Sequence, residues 1–207
     1  MSEDEFSRIL EETLEEFDPE WGQAEVAQFQ RIPSLVEAIR KAAESTDEEG
    51  NVCSHQRKQH NFPKWRVSLE RAMEELPAAE DRFKACKSFD DIYNLVWELV
   101  SRFTGLKRMY CYDVAFRIGA KQELLPEDKV YIHANPLKAV EVILGRKMDG
   151  QYYIHMSDLP KALQIYAAQE NLLAWQIENL LCHFYKVYKR NHHKKEATKS
   201  NWKLLFS

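Results

Sequence analysis

The sequence predicts a mainly α protein: a single-domain multi-helix bundle over residues 1–188 with at most a small two-stranded ribbon, followed by a basic, flexible tail over 189–207. Three observations predict it. Apolar residues recur at spacings of three and four through most of the chain, which is the period of a helix that buries one side. Only two short stretches, residues 130–133 and 151–155, read as extended. Hydrophobic content of 44% with 30% charged residues and only 6 glycines is the balance of a helix-leaning globular chain rather than a disordered or fibrous one.

Phe6, Ile9, Leu10, Thr13, Leu14 and Phe17 lie at helical spacing with Glu between them, so the first segment reads as an amphipathic helix ending near Pro19. A second helix is expected over about 22–30. A third begins at Pro33, a residue suited to a first helical turn, buries Leu35, Val36 and Ile39, and ends near Ser45. Residues 45–51 form a polar loop, and 52–61 show no period of either kind. A helix over 64–76 is stopped by Pro77, which has no amide proton to give, and 78–87 supplies a short helical piece. Ser88, with Asp91 three residues on, approximates a capping box before the apolar stripe from Phe89 through Ile92, Val96 and Val100 to Phe103. That helix is the predicted centre of the bundle.

Gly105 suits a left-handed residue past its end. A helix over 108–118 then stops at Gly119, residues 124–128 turn the chain, and 130–133 extend. Asn135-Pro136 caps a helix running to Leu144, with Gly145 as its stop. Residues 151–155 supply the second ribbon strand, and Ser157 caps a helix over 159–166. A long helix over about 169–188 buries Leu173, Ile177, Leu180, Leu181 and Phe184.

No apolar run reaches the roughly 20 residues of a membrane span, and the acidic start lacks the order of a signal peptide. A cytoplasmic protein with no membrane partner is therefore expected. Cys53, Cys86, Cys111 and Cys182 include no Cys-x-x-Cys pair and read as reduced thiols. The formal net charge of -4 hides a gradient: residues 1–20 hold nine Asp/Glu against one Arg, and residues 186–207 hold seven Lys/Arg against one Glu. Such a basic end suits phosphate, and such an acidic end repels it. No Walker loop, dinucleotide fingerprint, Gly-x-Ser-x-Gly or His-Glu-x-x-His is present, so four enzyme classes lose their usual flag, and no cofactor is expected.

Several constellations have chemistry to offer. On the helix over 108–118, Cys111, Val114, Ala115 and Ile118 share one side, which puts Asp113 and Arg117 together on the other. That side is either a solvated ion pair or the wall of a cleft where Arg117 forks onto a phosphate or carboxylate, with Tyr110 and Tyr112 alongside to stack a ring. Alternation places Tyr131 and His133 on one side of their extended segment, as an acid/base pair or as satisfied core groups. Cys53, His55 and His60 are zinc-type ligands with no second cluster to complete a set, so no metal is expected; His55, Gln56 and Arg57 instead suit an anionic or nucleobase ligand. Glu178 one turn before Cys182 disfavours a thiolate.

The order of helix, glycine-containing turn and helix over 89–118, followed by Leu-Pro and an extended segment, resembles the helix-hairpin-helix core of DNA repair glycosylases. In that family the hairpin's amides hold a DNA phosphate, which implies a phosphate site at Gly105, Lys107 and Arg108. Lys107 stands where the second hairpin glycine is expected, the family's catalytic Lys has no match, and Tyr131 stands near the place of its catalytic Asp. The resemblance therefore implies phosphate binding without glycosylase chemistry. Across most of the chain, His55-Gln56-Arg57, the run Tyr112 to Ala120, Val130 to Ala134 and Ile177 to Cys182 are similar to segments of an uncharacterised family of bacterial proteins. Asn135 replaces the Gly expected after His-Ala. This likeness implies that His55, Tyr112, Asp113, Arg117, Tyr131 and His133 meet in space.

The functional expectation is a cytoplasmic bacterial protein that binds DNA, RNA or a small anionic, phosphorylated ligand. The competing classes are an enzyme on a small molecule, using His133 with Asp113 or Arg117, and a scaffold in which these polar residues knit helices together.

Overall fold

In a computed structural model of the protein, which describes residues 1–47, 49–51 and 65–205 and the side chains of those up to 192, the chain is mainly α. The described residues form ten α-helices and one two-stranded antiparallel sheet. In chain order these are α1 (Glu3–Glu16), α2 (Gln23–Arg31), α3 (Leu35–Glu44), α4 (Arg66–Ala78), α5 (Glu80–Ala85), α6 (Phe89–Val100) and α7 (Arg108–Gln122). Then come β1 (Lys129–Tyr131), α8 (Ala134–Leu144), β2 (Tyr153–His155), a 3-10 turn (Met156–Asp158), α9 (Lys161–Gln169) and α10 (Ala174–Leu205). The chain divides into two compact units: Met1–Pro19 together with Glu127–Ser207, and the continuous stretch Glu20–Pro126.

The discontinuous unit is built on α10. Ile177, Leu180, Leu181, Phe184 and Val187 are buried along it, against Ile9 and Leu10 of α1, Val130 and Ile132, and Ala139 and Val140 of α8. The ribbon has the expected partners, with Val130 opposite Ile154 and Tyr131 opposite Tyr153. Val130 and Ile154 turn into the core, which fixes this register, since a slip of one residue would turn them outward. Leu173, expected in the buried stripe, is 42% exposed. It sits before the first turn of α10, where Gln176 closes half a capping box by accepting its N–H at 2.9 Å, while Gln176 Nε2 donates to Pro19 O. Asn135 does not cap α8: His133 holds that position, and the helix starts two residues earlier, at Ala134. Nor does Ser157 cap α9, which begins after Pro160.

The acidic and basic ends of the chain meet inside this unit. α10 runs past 188, and Arg190 reaches Glu12 Oε1 at 2.6 Å and Glu16 Oε1 at 2.5 Å. Asn191 donates to Glu12 Oε2 at 2.7 Å, and His183 Nε2 lies 3.3 Å from Glu16 Oε2. The charge gradient of the sequence is thus in part a set of helix–helix ion pairs. Hydrogen bonds from Asn191 and Arg190 hold the Glu12 carboxyl below its ordinary 4.5, and Arg190 with His183 does the same to Glu16. A depressed native value means stability that is present above the unfolded value and lost as pH falls through the native one. Arg190→Met is therefore expected to destabilise the protein in urea at about pH 7 and to match the parent near pH 3. Equal stability of the two at both pH values would count against these pairs.

The continuous unit is centred on α7, not on α6 as the apolar stripe suggested. α7 packs on α2, α3 and α6, and ten of its 15 residues are buried, which leaves little of it facing water. Gly119 does not stop α7. It lies inside the helix with no room for a side chain: a Cβ there would be 2.6 Å from Leu124 O and 3.2 Å from Phe89 Cδ2. The stop comes at Glu123, in the left-handed region, where Glu123 N–H bonds to Ala120 O and Leu124 N–H to Gly119 O. α3 begins after Ser34, whose hydroxyl accepts from Glu37 N, rather than at Pro33. Pro77 lies within the last turn of α4 instead of ending it, where a missing amide proton costs a single helical bond. The cap of α6 is as expected: Ser88 Oγ accepts from Asp91 N, and Asp91 Oδ2 accepts from Lys87 N.

Candidate functional site

The connection between α6 and α7 is short and pinned. Phe103 and Leu106 are buried, and Phe103 N–H and Leu106 N–H bond back to Val100 O and Phe103 O. Gly105 carries the chain through φ of +89°, a region where a side chain is strained. The start of α4 is fastened to this turn twice. Ser68 Oγ donates to Thr104 O at 2.8 Å, and the Trp65 indole lies against the Gly105 backbone, so close that a Cβ on Gly105 would be 2.1 Å from Trp65 Cδ2.

Between the two segments is a half-open cavity of about 420 Å³ whose lining includes Trp65, Val67 and Phe103 and three arginines, Arg66, Arg71 and Arg102. Arg66 pairs with Glu70 at 2.9 Å, Arg102 pairs with Glu75, and Arg71 makes no ion pair among the described residues. The cluster therefore has a surplus of positive charge. Lys107, exposed, occupies the N-cap position of α7 but supplies no oxygen to cap the first amides of that helix. Arg108 lies with its guanidinium carbon 5.0 Å from the centre of the Trp97 ring. Lys107 at the start of α7 and Arg71 in the cavity are each groups that suit an oxyanion.

Arg117 is 2% exposed, with Nε donating to Glu25 Oε1 at 2.6 Å and its guanidinium carbon 5.6 Å from the Phe29 ring centre. The open polar side expected for α7 is therefore not seen at Arg117, because a carboxylate from α2 neutralises the cation inside the unit. Asp113 is half-buried one turn away. Tyr110 is buried with its hydroxyl donating to Ala43 O at 3.0 Å, and Tyr112 is buried against Phe89 and Phe116. Neither ring presents an open stacking surface. Burial also pushes the Cys111 thiol up to about 12, as suits an inert core cysteine.

Tyr131 and His133 lie in the other unit. Tyr131 is 3% exposed beside Tyr152 and Tyr153. His133 Nε2 is 3.5 Å from Glu178 Oε1, both side chains being almost buried, and Asn135 Nδ2 is 3.7 Å from Cys182 Sγ. The residues expected to meet are thus divided, with Tyr112, Asp113 and Arg117 in the continuous unit and Tyr131 and His133 in the discontinuous one, where the carboxylate beside His133 is Glu178 rather than Asp113. His55, Gln56 and Arg57, with Cys53 and His60, lie outside the described residues. Among the described residues no cluster of His, Cys, Asp or Glu is arranged to hold a metal, and no helix is long and apolar enough to cross a membrane.

Sequence reasoning proposed Gly105, Lys107 and Arg108 at the turn and did not propose Trp65, Arg66, Arg71 and Arg102, which line the cavity beside it. A signal was present in Arg102-Phe103-Thr104-Gly105-Leu106-Lys107-Arg108, where three cations and an aromatic ring flank the turn glycine. The contribution of α4 carries no such signal, since it depends on a packing between segments far apart in the chain. Comparison of the chain with family models, with curated proteins and with solved structures gave no match.

Proposed function

We propose that the continuous unit binds a phosphate-bearing ligand, with nucleic acid as the leading class, at the α6–α7 turn. The observation that carries this reading is the cavity beside Gly105, lined by three arginines of which Arg71 has no ion pair among the described residues. The helix-hairpin-helix-like order of the sequence supports it, because such a turn offers amides to a phosphate; Lys107 and Arg108 follow the turn directly in the chain and add positive charge to it.

The test is strand binding by fluorescence anisotropy across a salt series, for the parent, Arg71→Ala, Lys107→Ala, and a tail variant with Lys194, Lys195, Lys199 and Lys203 changed to Gln. Each lost phosphate contact is expected to weaken binding and to flatten the slope of log K against log salt by about 0.7–0.9. Binding abolished in the tail variant and unchanged in Arg71→Ala and Lys107→Ala would remove the turn from the reading.

A second reading, an enzyme acting on a small molecule, is favoured by the nearly buried His133–Glu178 pair with Asn135 and Cys182 nearby. An imidazole beside a carboxylate is a general acid/base arrangement. Absence of strand binding in the parent protein would move the reading to this cluster.

A further inference from the structure

Resting on the phosphate reading above, we infer that the cavity at the α6–α7 turn accepts one unpaired nucleotide of a single strand, its base against the Trp65 indole and its phosphate on Arg71. Guanidiniums and amides are enough for a phosphate alone. This cavity has in addition a ring and alkyl wall from Trp65, Phe103 and Val67 beside the cations. Such a wall favours a phosphate that arrives with a flat ring attached, because any base can stack on an aromatic face.

The indole is also held in place beforehand. The Gly105 backbone covers part of it at a distance that excludes any Cβ, while the residue stays half-buried and reaches the cavity. A ring immobilised in this way loses little freedom when a base stacks on it. About 420 Å³ is near the lower end of the range for small-ligand sites and has room for a base and its phosphate. Val67, 64% exposed on the wall, leaves the mouth open. Among the described residues no carboxylate pairs with Arg71, which can therefore turn to phosphate, whereas Arg66 and Arg102 hold Glu70 and Glu75.

The full chain is titrated with short single strands of thymidylate and of uridylate, a blunt duplex of the same length, thymidine monophosphate and inorganic phosphate. Single strands are expected to bind at least about tenfold tighter than the duplex, and Trp65→Leu to weaken single-strand binding about tenfold, the effect of losing one base–aromatic stack, with duplex binding unchanged. Trp65→Phe retains a ring and is expected to recover most of the affinity. Because Trp65 also packs on the turn, Val67→Glu serves as a second variant: it alters only an exposed wall and is expected to weaken the single strand several-fold with the circular dichroism spectrum intact.

Equal affinity for single strand and duplex, indifferent to Trp65→Leu but weakened by Arg71→Ala, would overturn the nucleotide assignment and leave the phosphate reading standing. Thymidine monophosphate binding as tightly as the strands would overturn the strand assignment in favour of a free nucleotide. Binding of none of the probes would overturn both the inference and the reading on which it rests.

Discussion

Gly105→Ala is expected to destabilise the continuous unit by about 2–4 kcal/mol, the sum of two separate costs. The first is conformational: φ of +89° suits glycine and strains alanine. The second is steric, since the new Cβ would lie 2.1 Å from Trp65 Cδ2 and 2.4 Å from Cε3, so the whole indole must leave its place. Gly145 supplies the control. It also has positive φ, +64°, but nothing lies within 4 Å of where its Cβ would stand. Gly145→Ala should therefore incur only the backbone cost, about 1–2 kcal/mol. Urea unfolding of both variants separates the two terms. If the two lose the same amount, Trp65 is not packed on the turn as described. The displaced indole should also cost Gly105→Ala its strand affinity at temperatures where the protein remains folded.

Glu25→Leu is the second large expected effect, a loss of about 2–3 kcal/mol. It strips the carboxylate from Arg117, whose side chain is 2% exposed, and leaves a guanidinium in a place that water does not reach. The figure sits below the usual range for breaking a buried pair because Glu25 is 36% exposed and partly solvated. Arg117→Met should cost less, since it removes the cation while keeping a flexible apolar stem beside Phe29. The double variant should then be more stable than Glu25→Leu alone, a non-additivity that identifies the pair. A loss within about 0.5 kcal/mol for Glu25→Leu, the scale of an ordinary surface change, would show that Arg117 is satisfied without it.

What the sequence discloses about this protein is mostly local. The cap at Ser88 and Asp91, the ribbon partners 130–133 and 151–155, the stop at Gly145 and the buried run from Ile177 to Phe184 all follow from residues within a few positions of one another. The errors share a cause, which is that the deciding partner is distant. Arg117 reads as an outward cation until Glu25, 92 positions earlier, is placed beside it. Gly119 reads as a helix stop because a glycine needed for close packing looks the same as one needed for its φ. Arg190 reads as part of a solvated tail until α1 arrives 174 positions away. The candidate site divides the same way: the turn was visible in its glycine and its cations, whereas Trp65 and Arg71 belong to it only through the packing of α4.

The position of α1 bears on the order in which the protein takes shape as it is made. The unit Glu20–Pro126 is a single uninterrupted stretch, so all of its parts are present once that stretch has been synthesised. The first 19 residues have no such neighbours nearby. Ile9, Leu10 and the carboxylates of Glu12 and Glu16 wait for Ile177, Phe184 and Arg190, which follow the whole of the continuous unit. α1 is thus made before the continuous unit and takes its place only after it, and its acidic side chains suit a waiting amphipathic helix to water.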